Sequence, residues 1–175
     1  GRMGFRYPEI DVDGYIDDTG WKFPISIGTA PGGQNVKPTI VEIGLLPKGR
    51  LKTCPVLFLR TWIPDNDELG QSNTWHLYGG PRDTGCNDKR KIAYGMVLGK
   101  GGVEALRMLD IEPYCYSLDE SWSVFAQLAL LEHALNAGMS LGDAIESVRS
   151  RVVYTNHTPI AAGNPEYPIG LVEEM

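Results

Sequence analysis

The 175-residue sequence is poor in several residue types, and each shortage excludes something. Cysteine occurs three times, as Cys54, Cys86 and Cys115, far apart and with no CxxC pair. That pattern argues against a disulfide framework or a thiolate zinc site, and reduced thiols in the cytoplasm are the expectation. Histidine also occurs three times, as His76, His133 and His157, at no metal-ligand spacing. No stretch approaches the roughly 18 consecutive apolar residues that a membrane span needs. The start, GRMGFRYPEI, lacks the apolar centre of a secretory leader, and Gly1-Arg2 ahead of Met3 reads as a cloning remnant. Basic charge is scarce too: Lys and Arg total 16 against 22 Asp and Glu, for a net charge of −6. A nucleic-acid partner calls for a basic excess or face, so none is expected, and neither is a membrane partner.

What is abundant is Gly and Pro, 21 and 12 residues, about 19% of the chain, which suggests a loop-rich but folded protein. Most of them fall before residue 110. Residues 1–38 form a turn-rich N-terminal segment, with Asp13-Gly14, Thr19-Gly20 and Ala30-Pro31-Gly32-Gly33, and short strands around Trp21–Ile27. Thr39–Leu45 and Leu51–Trp62 are apolar and β-branched around the turn sequence Pro47-Lys48-Gly49-Arg50, which reads as a β-hairpin or meander. Residues 63–87 read as a long loop. A helix is expected from Asn87 or Asp88, its apolar positions Ile92, Met96, Gly99, Val103, Leu106 and Leu109 falling at three- and four-residue steps. Gly99-Lys100-Gly101-Gly102 lacks the spacing of a phosphate loop. It reads better as a small helix face that lets another backbone come close.

From residue 111 the periodicity is clean. Tyr114–Leu118 reads as a buried strand. A helix follows, capped by Asp119 or by a Ser117/Glu120 box, with Val124, Leu128, Leu131 and Leu135 as its inner stripe, widened by Phe125 and Ala129. Gly138 ends it. Ser140 and Asp143 open a second helix, with Leu141, Ala144, Ile145 and Val148 facing inward. Arg151–Thr155 is a second strand. Strand, helices, strand makes a parallel βαβ unit, so the fold class is α/β and the whole is one domain.

Parallel strands put their carboxyl ends on one edge, where ligands of open α/β sheets collect. That edge carries Asp119, Glu120 and Trp122 after one strand and Asn156, His157 and Thr158 after the other. Carboxylates, an amide, an imidazole and a hydroxyl suit the paired donors and acceptors of sugar hydroxyls, and an indole suits the apolar face of the ring. Plainer roles stand beside these: Asp119 as a cap, Asn156 in an Asx-turn before Pro159, Trp122 in the core, and His133 and His76 as structural residues. Asn156-His157-Thr158 is also a glycosylation sequon, discounted for want of a leader.

An ordered series of segments now carries a family resemblance: RTWIPDN (Arg60–Asn66), LYGG (Leu77–Gly80), VLGKGGVEALRMLDIEP (Val97–Pro113), YSLDESWSVF (Tyr116–Phe125) and Ser140–Pro168 with its YTNHTPIAAGN. Together they resemble the α-glucan (glycogen and maltodextrin) phosphorylases. The resemblance implies a partial Rossmann-like fold, the N-terminal half of a GT-B glycosyltransferase, with residues 39–175 as the phosphorylase-like α/β part. It implies phosphorolysis of α-1,4-glucan to glucose 1-phosphate by the whole enzyme, with pyridoxal 5′-phosphate held by a C-terminal domain that has no counterpart here. This chain then binds no cofactor itself. The resemblance makes Asn156, His157 and Thr158 the strand-tip motif that meets the transferred glucosyl unit, and Tyr78 the aromatic beside the active site. Trp122 stands where the family has a histidine, Pro81 where its loop has an acid, and Gly95 within its Gln-Glu stretch. The expected function is therefore an α-glucan-binding piece, inactive alone, whose partners are an α-glucan or other sugar and a missing C-terminal domain. A second reading is a stand-alone, non-catalytic interaction protein that self-associates. An enzyme complete in itself ranks last, because nothing supplies a phosphate site or a nucleophile.

Overall fold

The computed structural model describes residues 17–28, 38–46, 55–74, 84–161 and 164–175. Three strands, β1 (Asp17–Ile25), β2 (Thr39–Leu46) and β3 (Val56–Arg60), form an antiparallel sheet in that order. Phe23 pairs with Val41, and Ile43 with Leu59. Alternation sends Phe23 and Ile25 of β1 and Val41, Ile43 and Leu45 of β2 inward, where all five are buried. The turn expected at Pro47–Arg50 lies outside the described residues.

Central β2 is covered on its other face as well, where Glu42 is only 4% exposed. Its carboxylate is 2.5 Å from the Arg60 guanidinium and 3.8 Å from the Lys22 ammonium. A buried carboxylate needs such partners. Lys22 also bonds Asp65 at 2.8 Å, and that contact holds the Asp65 carboxyl below its usual range.

The stretch expected to be a long loop is structured over part of its length. Buried Asn66 accepts the Ile40 N–H at 2.7 Å and donates to the Ile40 and Thr61 carbonyls at 2.7 and 2.8 Å. A short helix α1 (Glu68–Ser72) follows, capped by Asp67, whose side chain accepts the Gly70 N–H. Helix α2 begins at Thr84, so Asn87 and Asp88 lie inside it rather than capping it, and it runs to Met108. Its 25 residues span about 37 Å. Ile92, Ala93, Met96 and Val97 seal the antiparallel sheet. Further along, Val103 joins Leu118, Ala126 and Ala129 in a second core.

The second sheet is the expected parallel pair, β4 (Tyr116–Asp119) and β5 (Val152–Thr155), with α3 (Val124–Asn136) and α4 (Leu141–Arg151) between them. Tyr114 is 97% exposed, so the strand starts two residues later than expected. Ser140 caps α4 by accepting the Asp143 N–H. Gly138, at φ +88°, ends α3 with both bonds of a Schellman closure, Gly138 N–H to Leu135 and Met139 N–H to Ala134. At the other end of the strands, Arg151 donates to the Pro113 carbonyl at 2.9 Å and lies over the Tyr116 ring. A last helix, α5 (Ile169–Glu173), brings the chain back to β1, where the Met175 carbonyl accepts the Gly28 N–H and Lys89 pairs with Glu174 at 2.9 Å.

The expected inner face of α3 holds only in part: Val124, Leu128 and Leu135 are 41%, 51% and 39% exposed, while Phe125 and Ala129 pack inward as expected and are joined by Ala126. In α4 only Ala144 is buried, while Leu141 and Ile145 are exposed. The reason lies in α2. A β-carbon on Gly99 would sit 2.4 Å from the Ala126 amide nitrogen, and one on Gly95 would sit 2.9 Å from the Phe125 ring. Where the helix backbones come closest, at Gly99, only a small residue fits between them, so Ala126 is drawn in there, while Gly95 leaves room for the Phe125 ring.

This contact makes a paired prediction. Gly99→Ala should destabilise the fold by about 2 kcal/mol or more through overpacking, lowering the melting temperature by about 4–8 °C. Gly102→Ala, whose β-carbon meets nothing within 4 Å, should be neutral or stabilising by about 0.5–1 kcal/mol. Thermal unfolding followed by circular dichroism checks both, and equal melting temperatures for the two variants would contradict the close-approach account.

Candidate functional site

Asp119 and Thr155 are register partners at the ends of the parallel strands, and the Glu120 N–H extends the pairing to the Thr155 carbonyl at 3.0 Å. The two strand tips therefore share one rim. At Glu120 the chain turns with φ +61° and ψ 171°, a region that side chains other than glycine's rarely occupy. The expected Ser117/Glu120 capping box does not form. Ser117 lies within β4, and Ser123 precedes α3 with its hydroxyl against the Asp119 and Glu120 carbonyls at 3.0 and 2.9 Å. A 3-10 turn at Ser121–Ser123 links strand to helix.

What holds Glu120 there is its carboxylate, which reaches across to β5. One oxygen accepts the His157 N–H at 2.8 Å, and the other lies 3.3 Å from the Thr158 hydroxyl. Asn156 makes the Asx-turn, accepting the Thr158 N–H at 2.7 Å, and bonds Asn164 at 3.1 Å. Asn164, the last residue of the YTNHTPIAAGN segment, donates to the Thr158 and Ile160 carbonyls as well. Its position depends on how the turn after β5 folds back. His157 Nε2 then stands 3.4 Å from Asp119 Oδ1, and both side chains are 66% exposed. The rim offers water an imidazole and a carboxylate side by side.

Trp122 faces the other way. With Asp119 and Glu120 it lines a cleft of about 570 Å³, whose far walls are Leu57 and Phe58 of β3 and Tyr94 and Leu98 of α2. His157, Asn156 and Thr158 are not among its lining residues, so the expected site divides at Asp119 into a polar rim and a mainly apolar hollow. Phe58 and Leu98 were not anticipated as site residues, because which face of α2 meets the gap follows from its packing on two sheets. A second cavity of about 480 Å³ adjoins the first along β4, sharing Leu57, Leu98, Gly102 and Asp119. Tyr78 and His76 lie outside the described residues. His133 bonds Glu104 across α2 and α3 at 2.7 Å, a structural tie.

No Lys or Arg is found among the described residues lining the cleft. Those described residues offer neither an amine for pyridoxal 5′-phosphate nor a cationic cradle for phosphate, and they do not fit that group. Three basic residues of α2 are paired: Lys89 with Glu174, Lys91 with Asp88 and Arg107 with Glu104. Cys115 is a free, exposed thiol, and no group of metal ligands occurs among the described residues. Nor is any described helix long and apolar enough to cross a membrane.

The strained glutamate makes its own prediction. Glu120→Ala loses the cross-strand bonds and keeps the strained backbone, whereas Glu120→Gly loses the bonds and relieves the strain. Denaturant unfolding should find the Gly variant the more stable of the two by about 1 kcal/mol or more. An alanine variant of equal or greater stability would remove the strain argument.

Comparison with known proteins gives a consistent result. The chain is 28% identical to the maltodextrin phosphorylase of Thermococcus litoralis over 99% of its own length and 21% of that protein's. It is 34% identical to the glycogen phosphorylase of Aquifex aeolicus over 99% of its length and 26% of that protein's. An uncharacterized protein of Methanocaldococcus jannaschii matches all of the chain at 27% identity, over 29% of that protein's length. The chain thus spans less than a third of each of these relatives. No protein-family model matches it.

Proposed function

We propose that this relative of the glycogen and maltodextrin phosphorylases is an α-glucan-binding unit that holds a glucosyl residue on the rim between β4 and β5 and does not phosphorolyse it unaided. The observation that carries the reading is the parallel pairing that sets the Asp119 carboxylate 3.4 Å from the His157 imidazole, both open to solvent. A sugar hydroxyl both donates and accepts. Asp119 accepts, the imidazole does either according to its tautomer, and the Asn156 side chain adds an amide. The bonds from the His157 backbone N–H and the Thr158 hydroxyl to Glu120 hold the turn that carries the imidazole, which lowers the ordering cost of binding.

Turnover needs more than this rim. The cleft supplies no described cation for orthophosphate, and holding that anion in place to attack the glucosyl carbon depends on such charge. Phosphorolysis, with pyridoxal 5′-phosphate, belongs in this reading to an assembly in which further polypeptide completes the site. A cytoplasmic location is part of the same proposal. A second reading, a non-catalytic protein that self-associates, is favoured by the exposed apolar stripe Val124, Leu128 and Leu135 on α3.

Titration calorimetry with maltotriose should show saturable binding, at least tenfold weaker in Asp119→Ala and in His157→Ala. The same preparation, given maltoheptaose, orthophosphate and pyridoxal 5′-phosphate, should release no glucose 1-phosphate. Absence of heat at millimolar maltotriose refutes the glucan reading, and release of glucose 1-phosphate refutes the dependence on further polypeptide.

A further inference from the structure

Asp119 borders two surfaces of opposite character. On one side stand the His157 imidazole and the polar turn that follows β5. On the other the cleft opens, walled by Leu57, Phe58, Tyr94, Leu98 and Trp122. Its volume of about 570 Å³ falls within the range of small-molecule sites, as does its chemistry, mostly apolar with a few polar groups at one end. Phe58 and Leu98 are 41% and 52% exposed, so apolar surface lies open beside a carboxylate. A free glucan, hydroxylated at both ends, leaves that surface wet. A ligand with a sugar at one end and an apolar group at the other covers both.

We propose that the preferred ligand is an α-glucoside carrying an apolar or aromatic aglycone, its sugar on the Asp119/His157 rim and its aglycone in the cleft between β3 and α2. This rests on the glucan-binding reading and extends it to a substrate class. Asp119 is the junction, its carboxylate accepting from a sugar hydroxyl next to the glycosidic bond. Trp122 lies beyond the bond, where its indole stacks on a planar aglycone. The apolar walls contribute affinity through the surface they remove from water, a contribution that a methyl group in place of the aglycone largely forgoes.

A matched pair of ligands tests this: methyl α-maltoside and phenyl α-maltoside, titrated by calorimetry into the full chain, with phenol as a third probe. The expected result is that the phenyl glycoside binds at least tenfold tighter than the methyl glycoside. In Leu98→Asp, a substitution at an exposed helix position, the ratio of the two affinities should fall to about one, with the far-ultraviolet circular dichroism checked for an intact fold. Phe58→Ser, exposed on a strand, provides a second route to the same loss. Equal affinities in the unaltered chain overturn the aglycone site and leave the glucan reading standing. Binding of neither glycoside overturns both. Binding of phenol as tight as that of the phenyl glycoside, insensitive to His157→Ala, overturns the shared use of rim and cleft.

Discussion

The structure depends on one close approach. At Gly95 and Gly99, helix α2 has no side chains, and the start of α3 fills the space with the Phe125 ring, the Trp122 carbonyl and the Ala126 amide. A β-carbon at Gly99 collides with the backbone of Phe125 and Ala126, which cannot swing aside as a side chain can, while one at Gly95 meets the Phe125 ring. Because α2 also seals the antiparallel sheet through Ile92, Met96 and Val97, this single contact fixes the parallel pair relative to the meander. It chooses the face of α3 that is buried, and it sets the width of the cleft between β3 and β4.

The site inherits its form from that arrangement. With the start of α3 pressed against α2, the chain leaving β4 must turn within a few residues. It does so through a left-handed Glu120 rather than through a glycine. Such a conformation costs on the order of 1–3 kcal/mol, and the carboxylate that reaches His157 and Thr158 offsets it. The same residue therefore closes the turn and orders the opposite strand tip. The strain is local to the rim, where backbone outliers commonly accompany binding.

Much of this was legible in the residues. The βαβ order, the parallel strands and the Gly138 and Ser140 helix boundaries follow from local chemistry: β-branched runs, a left-handed glycine, and a hydroxyl three residues before an N–H. The meeting of Asp119 with His157 follows from strand direction alone. The inner face of α3 was legible only at its margin, in Phe125 and Ala129. Leucines at helical spacing normally mark the core, but the close approach at Gly99 turns the helix so that Ala126 is buried and Val124, Leu128 and Leu135 face outward. Nor was the Ser117/Glu120 box, because Glu120 had a stronger use across the sheet than at a helix start.

The sequence by itself determined most of the strands and helices, though neither α1 nor α5, together with where α3 ends and α4 begins and that two polar strand tips share an edge. These depend on interactions between residues a few positions apart, or on the direction of a single crossover. Only the tertiary structure decided which helical faces are buried, that Trp122 turns from the rim into an apolar cleft, and that Tyr94 and Leu98 stand opposite Phe58. Those outcomes depend on the distance between α2 and its neighbours, a quantity set by contacts between segments far apart in the chain and not encoded in the spacing of any one of them.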